Sequence, residues 1–430
     1  MNVLFVTIDG GGNLPPVLGM AKGLYQQGHG VAVLSEPCVE ELISSLGYEF
    51  MPFTRYFTRK DRTEDIFKDW NASPIKNPVL DNIVFGPAGI VAEETKQAIE
   101  KSNADILIAD CLLPNALIAA EALGIPGVIA FHMPEYFPGA NRPPGMFGIK
   151  PGKGITGRLR DKVLTFLFNK KLDGFLTCIN EARSGLRLPP LERTSDLLHG
   201  ADLRFIQTME NFDFPILPKP ANVRYTGPFL NDPDWVEPWA NPWSESDPRP
   251  LAVISLSSTF QNQQAVIQSS IDALRDKEVR GLVTLGPVLD KNSFDVPENV
   301  EIVDSAPHSE VFPIADLVIT HAGHGTVMRA LSHGLPLICL PMGRDQNDNA
   351  IKVEYHGCGI ALKGSAGAGK IRRAVHKILN ENSFKQSAKR FQDDIRAVDP
   401  AGVVIQEIES IFAQAEKENG RFENQHSRIA

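Results

Sequence analysis

Short apolar runs alternate with amphipathic stretches along most of this chain. NVLFVTI, at residues 2–8, is continuously apolar and predicts a strand covered on both faces. LPPVLGMAKGLYQQGH follows with helical spacing, opening on Pro15 and Pro16 and closing on Gly28, as helix starts and stops do. VAVLS predicts the next strand and VEELISSLG the next helix. ADILIAD, NALIAAEALGI and PGVIAF repeat the alternation. In the second half, LAVISLS, GLVTLG, VEIVDS, ADLVITH and PLICLP read as strands, with QAVIQSSIDALRD and IRRAVHKILN among the helices between them. Alternation at this interval predicts parallel sheets with helices on both faces.

Two stretches break the rhythm, residues 54–90 and 133–195. Insertions of this kind in an α/β domain form loops over the site. The second contains the apolar run VLTFLF (163–168), which reads as core and, with Met146 and Phe147, as wall of an acceptor pocket. From 215 to 250 the chain is crowded with Pro, Trp and Asn, the composition of a stiff linker. The expected layout is a first domain over 1–214, that linker, and a second domain over 251–400. A helix over 401–414 then crosses back to the first domain, and a polar tail over 415–430 frays.

A length of 430 residues fits two domains, and 43% hydrophobic with 22% charged residues is ordinary globular composition. The formal net charge of -9 argues against a broad nucleic-acid surface. Five scattered cysteines without metal spacing suit reduced thiols in a cytoplasmic protein. The opening residues lack the basic n-region of a signal peptide, and no apolar run reaches the ~18 residues of a membrane span. A homodimer is compatible with all of this.

The chemistry concentrates in ITHAGHGTVMRALSHGLPLICLPMGRDQ. ADLVITH followed by AGHGTVMRALSHG is strand, glycine turn, helix. Gly323 and Gly325 let backbone N–H groups approach a ligand, and the helix N-terminus adds orphan donors and partial positive charge. Within this His-Ala-Gly-His-Gly-Thr cluster, His321 is placed to donate to a diphosphate and Thr326 to reach a phosphate oxygen; His324 completes the set. Ligands of open α/β sheets bind at this edge. Asp345 and Gln346 offer acceptors and a donor side by side, which suits vicinal sugar hydroxyls, and Asp345 also suits a helix N-cap. Ser257 and Ser258, at another strand end, offer hydroxyls for a phosphate.

HAGHGTVMRALSHGLPLICLPMGRDQNDNA resembles the donor-site signature of glycosyltransferase family one, particularly its bacterial natural-product branch. PPVLGMAKGLYQQGH resembles that family's first helix, and ADILIAD with ALGIPGV its acceptor-domain strand and helix. The resemblance implies the GT-B fold: two Rossmann-like doubly wound domains facing across a cleft. It implies inverting transfer of a hexose from a UDP- or dTDP-sugar to an apolar small-molecule acceptor, with no metal and no cofactor beyond the nucleotide sugar. It places His321, Thr326 and the N–H groups of Gly323 and Gly325 on the pyrophosphate, and Ser258 by the β-phosphate. Asp345 and Gln346 would hold the hexose, and Ser305, Ala306 and Pro307 would lie along the nucleobase.

The resemblance also exposes a departure. The family's catalytic His falls on Asn13, within GGGNLPP, and an amide is no base. The aspartate that orients that His survives as Asp110. Asp110 itself, His132 and Asp9 are the remaining candidates for proton removal, and an acidic acceptor would need little help. A nucleotide-sugar epimerase and a weakly active partner subunit of another transferase are the competing functions. GSAGAGK (364–370) lacks the Ser or Thr of a phosphate loop after its Lys and reads as a glycine loop opening a helix.

Overall fold

The computed structural model describes residues 1–65, 77–138, 142–231, 236, 238–244, 246–286 and 288–426. The first sheet joins β1 (Asn2–Val6), β2 (Gly30–Ser35), β3 (Glu49–Pro52), β4 (Ile106–Asp110), β5 (Gly127–Phe131), β6 (Leu203–Ile206) and β7 (Val223–Tyr225). Its order is β3-β2-β1-β4-β5-β6-β7, parallel throughout. The second sheet joins β8 (Leu251–Ser255), β9 (Arg280–Thr284), β10 (Val300–Val303), β11 (Leu317–Thr320), β12 (Leu337–Cys339) and β13 (Gly359–Ala361). Its order is β10-β9-β8-β11-β12-β13, again parallel.

Both sheets are the predicted doubly wound kind. Their central strands, LIA in β4 and LVIT in β11 among them, are buried, because helices cover both faces. In each sheet the order reverses beside the first strand of the domain, so the loops after β1 and β4, and after β8 and β11, open onto one crevice.

Three parts of the layout differ from the sequence reading. Val223–Tyr225 lies inside the Pro-rich segment assigned to the linker, yet it pairs with β6, and Val223 is fully buried in the first domain. A three-residue strand between proline-rich flanks has no periodicity to read. The C-terminal helix is longer than expected, Pro400–His426, and so takes in most of the tail expected to fray. Its Val404 and Ile408 enter the core beneath the helix Leu14–Gln26, and Arg224 bonds Glu407 at 2.7 Å, which returns the chain to the first domain. VLTFLF is not core. In the helix Gly154–Leu172, Val163 and Phe166 are 49% and 65% exposed, and only Leu167 and Phe168 reach the cleft. The five cysteines are free thiols, and no described helix is long and apolar enough to cross a membrane.

Candidate active site

A cleft of about 880 Å³ separates the domains. The residues selected from sequence line it except Asp9, Pro307 and Asp110, the last of which is fully buried.

On the second-domain side, β11 ends at Thr320, and Ala322 takes a left-handed φ of 69° to turn the chain into the helix His324–Ser332. A Cβ on Gly323 would lie 2.6 Å from His321 Nε2, so glycine is what allows the ring to fold over the turn. His321 is buried and held far below its ordinary value, to about 3, by burial first and by the charge of Arg344 second. Its imidazole is therefore neutral. Thr326 is half-buried on the first turn and its hydroxyl makes no hydrogen bond among the described residues. Gly323, Gly325 and Thr326 surround the helix N-terminus.

Arg344 carries a role that sequence reasoning passed over. It adopts φ 52°, donates to Thr259 Oγ1 at 3.1 Å and lies in the cleft beside His321. The tight turn after β12 aims it there, a placement with no sequence signal beyond the Gly-Arg-Asp tripeptide. Ser257 Oγ lies 3.1 Å from the same Thr259 hydroxyl, and Ser258 lines the cleft next to it. A Cβ on Gly11, in the loop after β1, would lie 3.1 Å from Ser258 Oγ, so the Gly10–Gly12 loop of the first domain closes directly on the serine turn of the second. His308 is a second missed residue. It lines the cleft near Ala306, bonds Ser255 Oγ at 3.1 Å and stacks on Phe312 at 4.3 Å.

Asp345 precedes the helix Gln346–Tyr355 but makes no side-chain cap; it accepts from Asn349 Nδ2 at 2.7 Å instead. Burial raises its carboxyl, opposed by the charge of His132 across the cleft. Gln346 behaves differently from the sequence reading. Its Oε1 accepts from Met342 and Gly343 N–H at 2.8 and 3.1 Å, and its Nε2 donates to Gln261 at 2.9 Å, so its amide holds the turn. His324 also turns inward. Its Nε2 meets the Gln207 carbonyl at 3.1 Å, and burial lowers it to about 4.

On the first-domain side, Asn13 is 1% exposed and fully bonded. Its Oδ1 accepts from Gly10 N–H at 2.8 Å, and its Nδ2 donates to Asp110 Oδ2 at 2.6 Å and to the Ile8 carbonyl at 2.7 Å. Asn13 is thus a buried brace. Thr7 donates to the same Asp110 oxygen at 2.9 Å, and Leu112 N–H to the other at 2.9 Å. That second oxygen also faces His132 Nδ1, at an ion-pair distance of 3.6 Å. Burial would raise the Asp110 carboxyl, but the bonds from His132, Asn13 and Leu112 hold it below its ordinary value. Burial would lower His132, but the neighbouring Cys111 and Asp110 hold it well above 6.5. The imidazole remains 16% exposed and lines the cleft. Asp9 is tied to Arg62 Nε at 2.7 Å and to Gly11 N–H at 2.8 Å, so both of its oxygens are engaged, and it does not line the cleft.

The first-domain half of the cleft is apolar, with Leu112, Met133, Met146, Phe147, Leu167 and Phe168 among its walls. Met146, at φ 70°, is pinned across the domain gap: Asp348 accepts its N–H, and that of Gly148 at 2.8 Å. Metal-ligand atom types converge twice among the described residues. One set is Asp110, Cys111 and His132, the pair just described with its neighbouring thiol; the other is the surface trio Asp276, Glu278 and His376.

Residues 271–411 match the family described as erythromycin biosynthesis protein CIII-like, C-terminal domain. The chain is 26% identical over 421 residues to 4'-demethylrebeccamycin synthase of Lentzea aerocolonigenes, covering 95% of this chain and 99% of that protein. In fold it is similar to the glycotransferase of kitacinnamycin (TM-score 0.72, 18% identity, 95% of this chain and 98% of that one). It is similar also to the calicheamicin glycosyltransferase CalG4 (TM-score 0.71, 18% identity, 96% and 98%). The chain is thus similar over nearly its whole length to a natural-product glycosyltransferase, and its two parallel-sheet domains share the two-domain GT-B architecture of the solved glycosyltransferases.

Proposed function

We propose that this chain transfers a hexose, with inversion and without a metal, from a UDP- or dTDP-sugar to an apolar small molecule of the natural-product kind, with His132 as the base. The carrying observation is the His132–Asp110 pair on the cleft floor, facing Asp345 from across the domain gap. In this reading the first domain binds the acceptor and the second the nucleotide sugar.

The acceptor lies among Met146, Phe147 and Phe168 with its hydroxyl toward His132 Nε2. His132 takes that proton as the acceptor oxygen attacks the anomeric carbon from the face opposite the diphosphate, and the carbon–oxygen bond to the β-phosphate breaks. Asp110 keeps the ring oriented and stabilises the imidazolium that forms. The leaving diphosphate is met by the His324–Ser332 helix N-terminus, Thr326, neutral His321 and cationic Arg344, a set that supports departure without a divalent ion. Asp345 holds the hexose hydroxyls. The ring of His308 offers an aromatic surface near the expected nucleobase position.

The apolar half of the cleft favours transfer over epimerisation, which has no second substrate to house. The intact His132–Asp110 pair favours an active enzyme over a baseless partner subunit.

Calorimetric titration with UDP and dTDP, with and without magnesium, tests the donor half. Expected is micromolar binding of one nucleotide, indifferent to magnesium and weakened in His321→Ala. Transfer to a panel of phenolic and polyketide acceptors tests the rest, with the product anomer read by NMR. An α-linked product from an α-linked donor, or binding of neither nucleotide, sinks the reading.

A further inference from the structure

The helix Gly154–Leu172 carries an exposed apolar stripe. Ile155 is 88% exposed, Leu159 60%, Val163 49%, Phe166 65% and Leu167 53%. Their spacing places them on one face over nearly the whole helix. Arg158, Arg160, Lys162 and Lys170 are exposed on the same helix, around the stripe, and Arg160 pairs with Asp161 at 2.7 Å. The chain as a whole carries a net charge of -9, so this is a basic, apolar face on an acidic protein. Exposed apolar residues this closely grouped mark an interaction surface.

The opposite face and the C-terminal end of the helix lead inward. Phe168 packs on Phe137 at 6.3 Å, and Leu167, Phe168 and Leu172 line the apolar half of the cleft. One helix therefore joins an outward basic-apolar face to the pocket wall.

We propose that this helix docks the protein on an anionic lipid surface, from which apolar acceptors enter the cleft. Apolar side chains entering the headgroup boundary while Arg and Lys meet anionic headgroups is how interfacial helices bind. A second copy docking symmetrically would set this positive face against itself, whereas an anionic lipid surface complements it. What the membrane delivers rests on the transferase reading; the docking itself does not.

The test is co-sedimentation of the full chain with phosphatidylcholine vesicles, with and without phosphatidylglycerol. Expected is binding that requires the anionic lipid and weakens with salt. Ile155→Asp/Phe166→Asp should weaken it at least about tenfold, and so should Arg158→Glu/Lys162→Glu. The melting temperature, and transfer to a water-soluble acceptor, should stay unchanged in both variants. Transfer to an acceptor dissolved in vesicles should fall in step with binding. Absence of anionic-vesicle binding, or binding that survives both double substitutions, overturns the proposal. So does a wild-type dimer that these substitutions dissociate, because a second copy would then be the occupant. Loss of nucleotide binding in the wild type would instead strike at the transferase reading alone.

Discussion

His132 Nδ1 lies 3.6 Å from Asp110 Oδ1, with the rest of the ring turned to the cleft. The two come from the ends of neighbouring strands, β4 and β5, so the sheet itself sets their separation. The aspartate's other oxygen is taken by Asn13 at 2.6 Å. One carboxylate is thereby shared between a brace and a titratable ring.

His132→Ala should lower kcat/KM by about 10²–10⁴-fold while leaving the nucleotide Kd unchanged, measured by transfer assay and calorimetry. A base must be neutral to accept a proton, and His132 is held well above 6.5. The rate should therefore climb with pH along a limb lying above 6.5. Asp110→Asn removes the carboxylate that retains the proton, so the limb should move to lower pH as the maximum rate falls. A limb unmoved by that substitution would exclude His132 as the titrating group.

Asn13→Ala should cost about 1–3 kcal/mol of stability, read by denaturant unfolding, because it takes a donor from the buried Asp110 carboxylate and removes the amide's bonds to Gly10 N–H and the Ile8 carbonyl. Asn13→His should bring no gain in rate, since Asp110 already serves His132 and the Asn13 slot is 1% exposed. Faster turnover in Asn13→His would mean that the chain lacks an effective base of its own.

Arg344→Ala removes the cation nearest the expected diphosphate and should weaken nucleotide binding roughly ten- to a hundredfold, about 1.5–3 kcal/mol. Gly323→Ala should weaken it too, because the new Cβ would lie 2.6 Å from His321 Nε2 and displace the ring. Calorimetry on both variants checks this; wild-type affinity in either would move the diphosphate elsewhere.

Asp348→Ala releases the backbone of Met146 and Gly148 from the second domain. The acceptor KM should rise about tenfold with the nucleotide Kd unchanged, since a segment that positions the acceptor loses its anchor. Steady-state kinetics with each substrate varied in turn separates the two effects.

The two sheets and the glycine turn after β11 were legible because local patterns encode them. A buried parallel strand needs a continuous apolar run such as ADLVITH, and a tight strand-to-helix turn needs glycines such as Gly323. The Asn13 departure was legible from the same alignment of motif to position. Tertiary structure decided what depends on distant partners. Gln346 is bound to its own turn by Met342, Gly343 and Gln261, and His324 by the Gln207 carbonyl, contacts that no spacing along the chain announces. Arg344 enters the cleft only because its turn adopts a left-handed conformation. VLTFLF is apolar enough for a core, but burial is a property of what packs against a segment, and nothing among the described residues covers Val163 and Phe166. The different surroundings of His132 and Asp9 have the same origin: both sit at strand ends, and only the folded chain pairs Asp9 with Arg62 while leaving His132 open to the cleft.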